Sequence, residues 1–210
     1  MRKNELSQAS NYRWAVLFTA FFAFVAFAFV FQLVPPLLKT MASDFTLAEA
    51  QAGWLMSAVM IPGIFLALPA GLIVNRYGSR LIGFLSLVSV AGGSLMTALA
   101  STFAVALIGR LVLGAGGAFI IVGMPTLIPQ WFSRQDLGKA MGIYGTNMPV
   151  ATIAAFPAAT ILAQSSDWHI PFYAGAVIAV LAAAVFILVS KEGPFDSSHR
   201  SVPVSYTHLR

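Results

Sequence analysis

Charged residues divide the chain into six long uncharged windows, 14–38, 50–75, 81–109, 111–133, 140–166 and 168–190. Each exceeds the ~20 residues that a helix needs to cross roughly 30 Å of hydrocarbon. A backbone in lipid must satisfy its own hydrogen bonds, and the strands of a membrane barrel would be about ten residues long and alternating. The pattern therefore predicts helices, near 14–37, 52–74, 81–100, 103–128, 140–163 and 168–189. The expected organisation is a segment 1–13, a six-helix transmembrane bundle over 14–190 and a polar tail over 191–210. Arg2, Lys3 and Arg13 ahead of the first window raise the question of a secretory signal. That window has 25 residues, longer than the roughly 7–15 of a signal's apolar core, and it reads as a retained span.

Prolines divide the six spans into two sets of three. Span 1 ends on Pro35 and Pro36 and span 4 on Pro125 and Pro129, while span 2 carries Pro62 and Pro69 and span 5 carries Pro149 and Pro157. Inverted three-helix repeats with matching Gly or Pro interruptions are how transporters build a site near the midplane. The plainer reading is that membrane helices tolerate proline because neighbours re-satisfy the freed groups.

Composition strengthens the membrane reading, for 59% of residues are hydrophobic and 9% charged, against about 25% charged in a soluble domain. All seven acids and eleven of the twelve bases lie outside the apolar runs, the exception being Arg110. The net charge of +5 does not point to nucleic acid, because the bases are scattered in short loops rather than gathered into a patch. Their distribution fixes an expected orientation instead. Arg2, Lys3, Arg13, Arg76, Arg80, Arg134, Lys139, Lys191, Arg200 and Arg210 fall on one side and only Lys39 on the other, so the positive-inside bias predicts cytoplasmic N and C termini. Trp14 and Trp131 fall at inner ends and Trp54 and Trp168 at outer ends, where indole favours the interface. With no cysteine there is no disulfide framework or thiolate metal site. No metal cluster, phosphate loop or nucleophile constellation is present and no cofactor is implied, which argues against an enzyme.

Between spans 2 and 3 the chain reads Gly71-Leu-Ile-Val-Asn75-Arg76-Tyr-Gly78-Ser-Arg80. This resembles the signature loop of the major facilitator superfamily, G-x-L-a-D-R-x-G-R-K, at that family's position. Arg110-Leu-Val-Leu-Gly114-Ala-Gly116-Gly117 is similar to its fourth-helix pattern, R-x-x-x-G-x-G-G, and Trp131-Phe132 followed by Leu137-Gly138-Lys139-Ala140-Met141-Gly142 to the start of its fifth helix. The resemblance covers about residues 14–192 and implies the N-terminal half of a twelve-span carrier that works by alternating access. It also implies a cytoplasmic latch built from Gly71, Asn75, Arg76, Gly78, Arg80 and Asp136. In that latch Gly71 would let two helices approach, Gly78 would allow a tight turn, and Arg76 and Arg80 would reach lipid phosphates or acidic partners. Asn75 departs from the family's aspartate and removes a charge from the latch. Asp136 would pair with Arg76 or Arg80, a surface ion pair worth about 0–1 kcal/mol.

Arg110 is the leading candidate for solute binding, since a guanidinium in hydrocarbon costs about 2.5–3.5 kcal/mol at a helix centre and should face a cavity or a partner. Snorkelling to the nearby outer end is the alternative. Gln32 lies at a similar depth in span 1. The two would offer donors to a polar or anionic solute, or would bond to each other. Tyr144 and Asn147 in span 5, with Thr146 and Thr152, are weaker candidates, because hydroxyls in membrane helices often bond their own backbone. Gly114, Gly116 and Gly117 are expected to serve helix packing.

No Asp, Glu or His lies within any span except His169, at the outer edge of span 6. A proton-coupled mechanism would need its titratable group elsewhere. The expected function is secondary transport of a small polar or anionic solute in a bacterial-type inner membrane. The alternative is a six-helix scaffold or assembly subunit that moves nothing. The tail, from Pro203 onward above all, reads as non-native sequence or a truncated end, so the expected partner is a missing C-terminal six-helix half or a second copy.

Overall fold

The computed structural model describes residues 3–163 and 167–191, and the tail reading for 192–210 lies outside the described residues. The described residues are helical almost throughout. In order they form α1 (Lys3–Gln32), α2 (Val34–Asp44), α3 (Glu49–Ser57), α4 (Met60–Tyr77), α5 (Ser79–Ala98), α6 (Phe103–Leu127), a 3-10 turn Ile128–Gln130, α7 (Arg134–Tyr144), α8 (Asn147–Leu162) and α9 (His169–Val189). Among the described residues five stretches are long and apolar enough to cross a membrane: Tyr12–Asp44, Ala50–Tyr77, Ser79–Ala98, Phe103–Gln130 and His169–Val189. They correspond to predicted spans 1, 2, 3, 4 and 6. The remaining span, predicted over 140–163, is made by two shorter helices, α7 and α8.

Proline explains the broken spans. A proline ring clashes with the carbonyl four residues earlier and cannot donate to it. Span 2 opens at Ala58–Val59, four and three residues before Pro62, and span 5 opens at Gly145–Thr146, at the same distances before Pro149. Span 1 is interrupted at Leu33, just ahead of Pro35 and Pro36, and span 4 tightens into the 3-10 turn that holds Pro129. Because α7 and α8 have 11 and 16 residues, at 1.5 Å per residue they cover roughly 40 Å together, enough to cross the bilayer as a pair.

The packing follows the threefold grouping that the prolines suggest. Spans 1 and 4 are central: α1 packs on α8 and α9, and α6 packs correspondingly on α4 and α5. Spans 3 and 6 pack on each other, as do spans 1 and 4, and the weaker α4–α5 contact has its counterpart in α8–α9. Exchanging spans 1, 2, 3 with 4, 5, 6 leaves the set of neighbours nearly unchanged, the α1–α5 contact being the exception. Such exchange symmetry is what an internal repeat of three helices produces.

Small residues set the spacing. A Cβ on Gly93 would sit 2.5 Å from the Leu113 nitrogen and one on Gly109 would sit 2.7 Å from Thr97 Oγ1, so α5 and α6 touch nearly backbone to backbone. Gly116 lies against the Ser86 carbonyl at 2.5 Å on the same seam, Gly114 against the Val59 carbonyl and Gly117 against the Phe27 ring. Gly114, Gly116 and Gly117 thus each lie against a different span. Gly78 adopts φ 83, the positive-φ turn expected between spans 2 and 3. Gly71 differs from expectation, for among the described residues nothing lies within 4 Å of its added Cβ.

Contacts also fix the ends. Tyr12 Oη donates to the Val189 carbonyl and Trp131 Nε1 to the Lys191 carbonyl at 3.1 Å, so the start of span 1, the loop before span 5 and the end of span 6 share one face, the basic end. At the opposite end Trp168 Nε1 donates to Asp44 Oδ2 at 3.0 Å, and His169 Nδ1 lies 2.6 Å from Asp167 Oδ1. All four tryptophans thus sit at span ends.

A methyl added at Gly114 has no room beside the Val59 backbone. We expect Gly114→Ala to lower the midpoint of thermal unfolding in detergent by the equivalent of about 1–3 kcal/mol. Gly71→Ala, in open space within a helix, is expected to be neutral or to stabilise by up to about 1 kcal/mol.

Candidate functional site

Helix α6 is capped by Thr102, whose hydroxyl accepts from the Val105 N–H at 3.4 Å, and two turns later it carries Arg110 into the centre of the bundle. The side chain is 0% exposed. Its Nε donates to the Leu55 carbonyl at 3.0 Å, Nη1 to the Val30 carbonyl at 3.3 Å and Nη2 to the Phe31 carbonyl at 3.2 Å, with the Phe31 ring centroid 5.9 Å from the guanidinium carbon.

These carbonyls are available for a reason. Phe31 lies four residues before Pro35, which has no N–H to return. Leu55 lies in the last turn of α3, where helix carbonyls run out of intrahelical donors. One turn along α6, Gly114 receives the Val59 backbone, so residues 110 and 114 match 55 and 59 in register. The guanidinium is thus held by backbone dipoles, with no carboxylate among its partners. Of its five N–H groups, three are engaged.

Gln32 does not bond to Arg110. Its Nε2 donates to Thr152 Oγ1 at 2.8 Å, and that hydroxyl in turn donates to the Met148 carbonyl at 2.9 Å, tying span 1 to span 5. Sequence separation still keeps the two donors close in depth, because Arg110 binds the carbonyls immediately before Gln32. Tyr144 and Asn147 lie lower on the same seam, at the break between α7 and α8. Tyr144 is buried, packs edge-on against Phe24 at 6.0 Å, and its hydroxyl has no hydrogen-bond partner among the described residues. Asn147 is 4% exposed and begins a stripe of buried Ala151, Ala155 and Ala159 along α8. Phe24 and Gln32 are eight residues apart on α1, roughly 12 Å, so the four candidates form two levels rather than one cluster. Thr146 bonds its own backbone, at the Ile143 carbonyl.

The loop residues are arranged otherwise than expected. Asp136 pairs with Arg13, Nη1 to Oδ2 at 2.8 Å, and not with Arg76 or Arg80. Arg80 donates instead to the Ile187 carbonyl at 2.7 Å, at the end of α9, and Arg76 lies over the Tyr77 ring at 5.5 Å. Asn75 is exposed. Arg13 also lies over Trp14 and Phe132, at 5.8 and 5.4 Å. Nothing local in the sequence links residue 13 to residue 136, and only the return of span 5 beside span 1 brings them together. At the opposite end the His169 N–H and ring hold the Asp167 carboxyl below its usual range.

Comparison with known proteins agrees with this architecture. Residues 6–206 match the Major Facilitator Superfamily. The chain belongs to that superfamily. Its members are transporters rather than enzymes, and the chain is accordingly a multi-pass integral protein of a bacterial-type inner membrane. It is 34% identical over 139 residues to the nitrate/nitrite transporter NrtP of a Picosynechococcus strain, covering 64% of this chain and 25% of that protein. It is 26% identical over 171 residues to the probable nitrate transporter NarT of Staphylococcus epidermidis, covering 81% and 44%, and 27% identical over 144 residues to a nitrite extrusion protein of Bacillus subtilis, covering 69% and 36%. This chain therefore spans less than half the length of each of those relatives. Among solved structures, a bacterial homologue of the lysosomal transporter Spinster superposes with a TM-score of 0.81 at 17% identity, covering 88% of this chain and 44% of that one. A proton:xylose symporter superposes with 0.79 at 16% identity, covering 87% and 46%. These structures establish the fold.

Replacing Arg110 by methionine would strip donors from carbonyls on two spans. We expect Arg110→Met to cost at least about 2 kcal/mol of stability, as buried unsatisfied groups do, in reversible unfolding in mixed micelles. Gln32→Leu, which removes one interhelical bond while Thr152 keeps its backbone acceptor, should cost only about 0.6 kcal/mol.

Proposed function

We propose that the chain forms one six-helix wall of a secondary carrier for a small anion, nitrate or nitrite being the class that fits its relatives. The observation that carries this reading is the Arg110 guanidinium, buried at the proline breaks with no carboxylate partner. A fixed positive charge among inward-turned carbonyls favours an anionic solute, and its two unused N–H groups are the donors that would greet one. Gln32 on the neighbouring span, with Tyr144 and Asn147 lower on the seam, supplies polar groups along the path. Among the described residues the acids of the span-forming stretches, Asp44 and Asp136, stand at span ends and none lies at the depth of Arg110, which supports the same sign of cargo. The second wall would be a further six-helix unit, either the C-terminal half of a longer chain or a second copy, and alternating access would follow from rocking of the two units around the site. The basic end would face the cytoplasm, in keeping with its excess of Lys and Arg, and Asn75, Arg76 and Gly78 would form one side of a latch there.

Isotope-labelled nitrate uptake into cells lacking their own carriers tests the function. Saturable uptake is expected when the complete gene is expressed, lost in Arg110→Gln and partly kept in Arg110→Lys. If a well-folded Arg110→Gln protein transported normally, the site would be wrong. If no solute moved under any condition, the scaffold alternative would stand. Orientation has its own test, because the chain has no cysteine. A single cysteine at exposed Thr40 should react with a membrane-impermeant maleimide on intact cells, and one at exposed Ser133 should react only after lysis.

A further inference from the structure

The basic end carries a groove that the proposed carrier site does not use. It has a volume of about 480 Å3 and is lined by Tyr77, Arg80, Leu81, Ile187 and Lys191, where the turn between spans 2 and 3 meets the end of span 6. Its two cations are held in place. Arg80 is anchored by one Nη donating to the Ile187 carbonyl at 2.7 Å, which among the described residues leaves the rest of the guanidinium fork without a hydrogen-bond acceptor. Lys191 has its carbonyl bonded by Trp131 Nε1 and its ammonium 5.5 Å from the Tyr12 ring. Among the described residues neither cation has a carboxylate partner, the ion pairs there being Arg13–Asp136 and His169–Asp167. Two cations that line one groove suit a phosphate group, and an arginine fork suits phosphate oxygens in particular.

Below the groove the surface turns apolar. Leu81, Leu85 and Val88 stand exposed along α5, and Leu181, Val185 and Leu188 along α9, the two helices being packed together. These ridges run from the cationic mouth toward the middle of the span. A polar anionic head at one end and an apolar track leading away from it are the two halves of a phospholipid. We propose that this groove binds the phosphodiester of an anionic membrane phospholipid, with its acyl chains along the seam of spans 3 and 6. Arg76, close by on the Tyr77 ring, would repel the ammonium of a zwitterionic headgroup, so the groove should prefer phosphatidylglycerol to phosphatidylcholine.

Native mass spectrometry of the purified chain in detergent, incubated with each lipid, tests the proposal. Phosphatidylglycerol should be retained in preference to phosphatidylcholine, less so as salt is raised. Retention should fall about fivefold for each charge removed, in Lys191→Gln and in Arg80→Gln, and should be unchanged in Lys39→Gln at the opposite end. Among the described residues Lys191 makes no hydrogen bond through its side chain, so its variant remains informative if Arg80→Gln fails to fold. Equal retention of the two lipids would overturn the proposal, as would a Lys191→Gln protein that holds phosphatidylglycerol as the unaltered chain does. Millimolar inorganic phosphate should displace the lipid poorly. If it competed as well as soluble phosphatidylglycerol, the site would take the bare anion, and the lipid assignment would be wrong.

Discussion

Proline in a lipid-embedded helix leaves a carbonyl without a donor, and hydrocarbon offers no water to supply one. At the breaks of spans 1 and 2, Arg110 from span 4 donates through Nε to Leu55, at the end of α3, and through its two Nη atoms to Val30 and to Phe31, the carbonyl that Pro35 leaves without its helical donor. The charge and the helix breaks are mutually dependent. Without the breaks the guanidinium would have no acceptors at that depth, and without the guanidinium the breaks would expose unsatisfied backbone. The rest of the packing follows from this point, because Gly114 must then admit the Val59 backbone and Gly117 the Phe27 ring.

Two kinds of contact hold the remainder. Spans 3 and 4 meet through glycine, at Gly93, Gly109 and Gly116, where close van der Waals approach replaces the hydrophobic drive that lipid removes. The ends are tied by side chains that reach between distant parts of the chain: Tyr12 to Val189, Arg13 to Asp136, Arg80 to Ile187, and Trp168 to Asp44. Spans 1 and 5 are joined in the middle by Gln32 and Thr152. The bundle is therefore fastened at both ends and at the level of the breaks. In the most apolar window of span 2 only 22% of the residues are buried, so apart from its contact with α6 that span faces outward from the described helices.

The repeat of three helices has a physical basis in where the chain is forced to break. Pro62 and Pro149 open their helices at the same spacing, and the neighbours of spans 1–3 are reproduced by those of spans 4–6. The repeat does not extend to polar chemistry. Arg110 stands in span 4, whereas span 1, its counterpart, offers phenylalanine and alanine over most of its length. The asymmetry concentrates charge on one side of the bundle's centre.

Chain length, apolarity and the spacing of charges determined by themselves that six segments cross a membrane, because hydrocarbon thickness and unmet backbone hydrogen bonds leave a sequence of this kind no other structure. The prolines marked the breaks, the glycine motif marked the close seams, and a lone arginine in an apolar run marked the centre. The partners were decided only by the tertiary structure. That Arg110 meets carbonyls rather than Gln32, that Asp136 meets Arg13 rather than the loop arginines, and that Gly71 meets nothing all depend on which spans lie side by side. Side-chain reach is a few ångströms, whereas the residues that meet are separated by as many as 177 positions, so only the packed bundle could assign them.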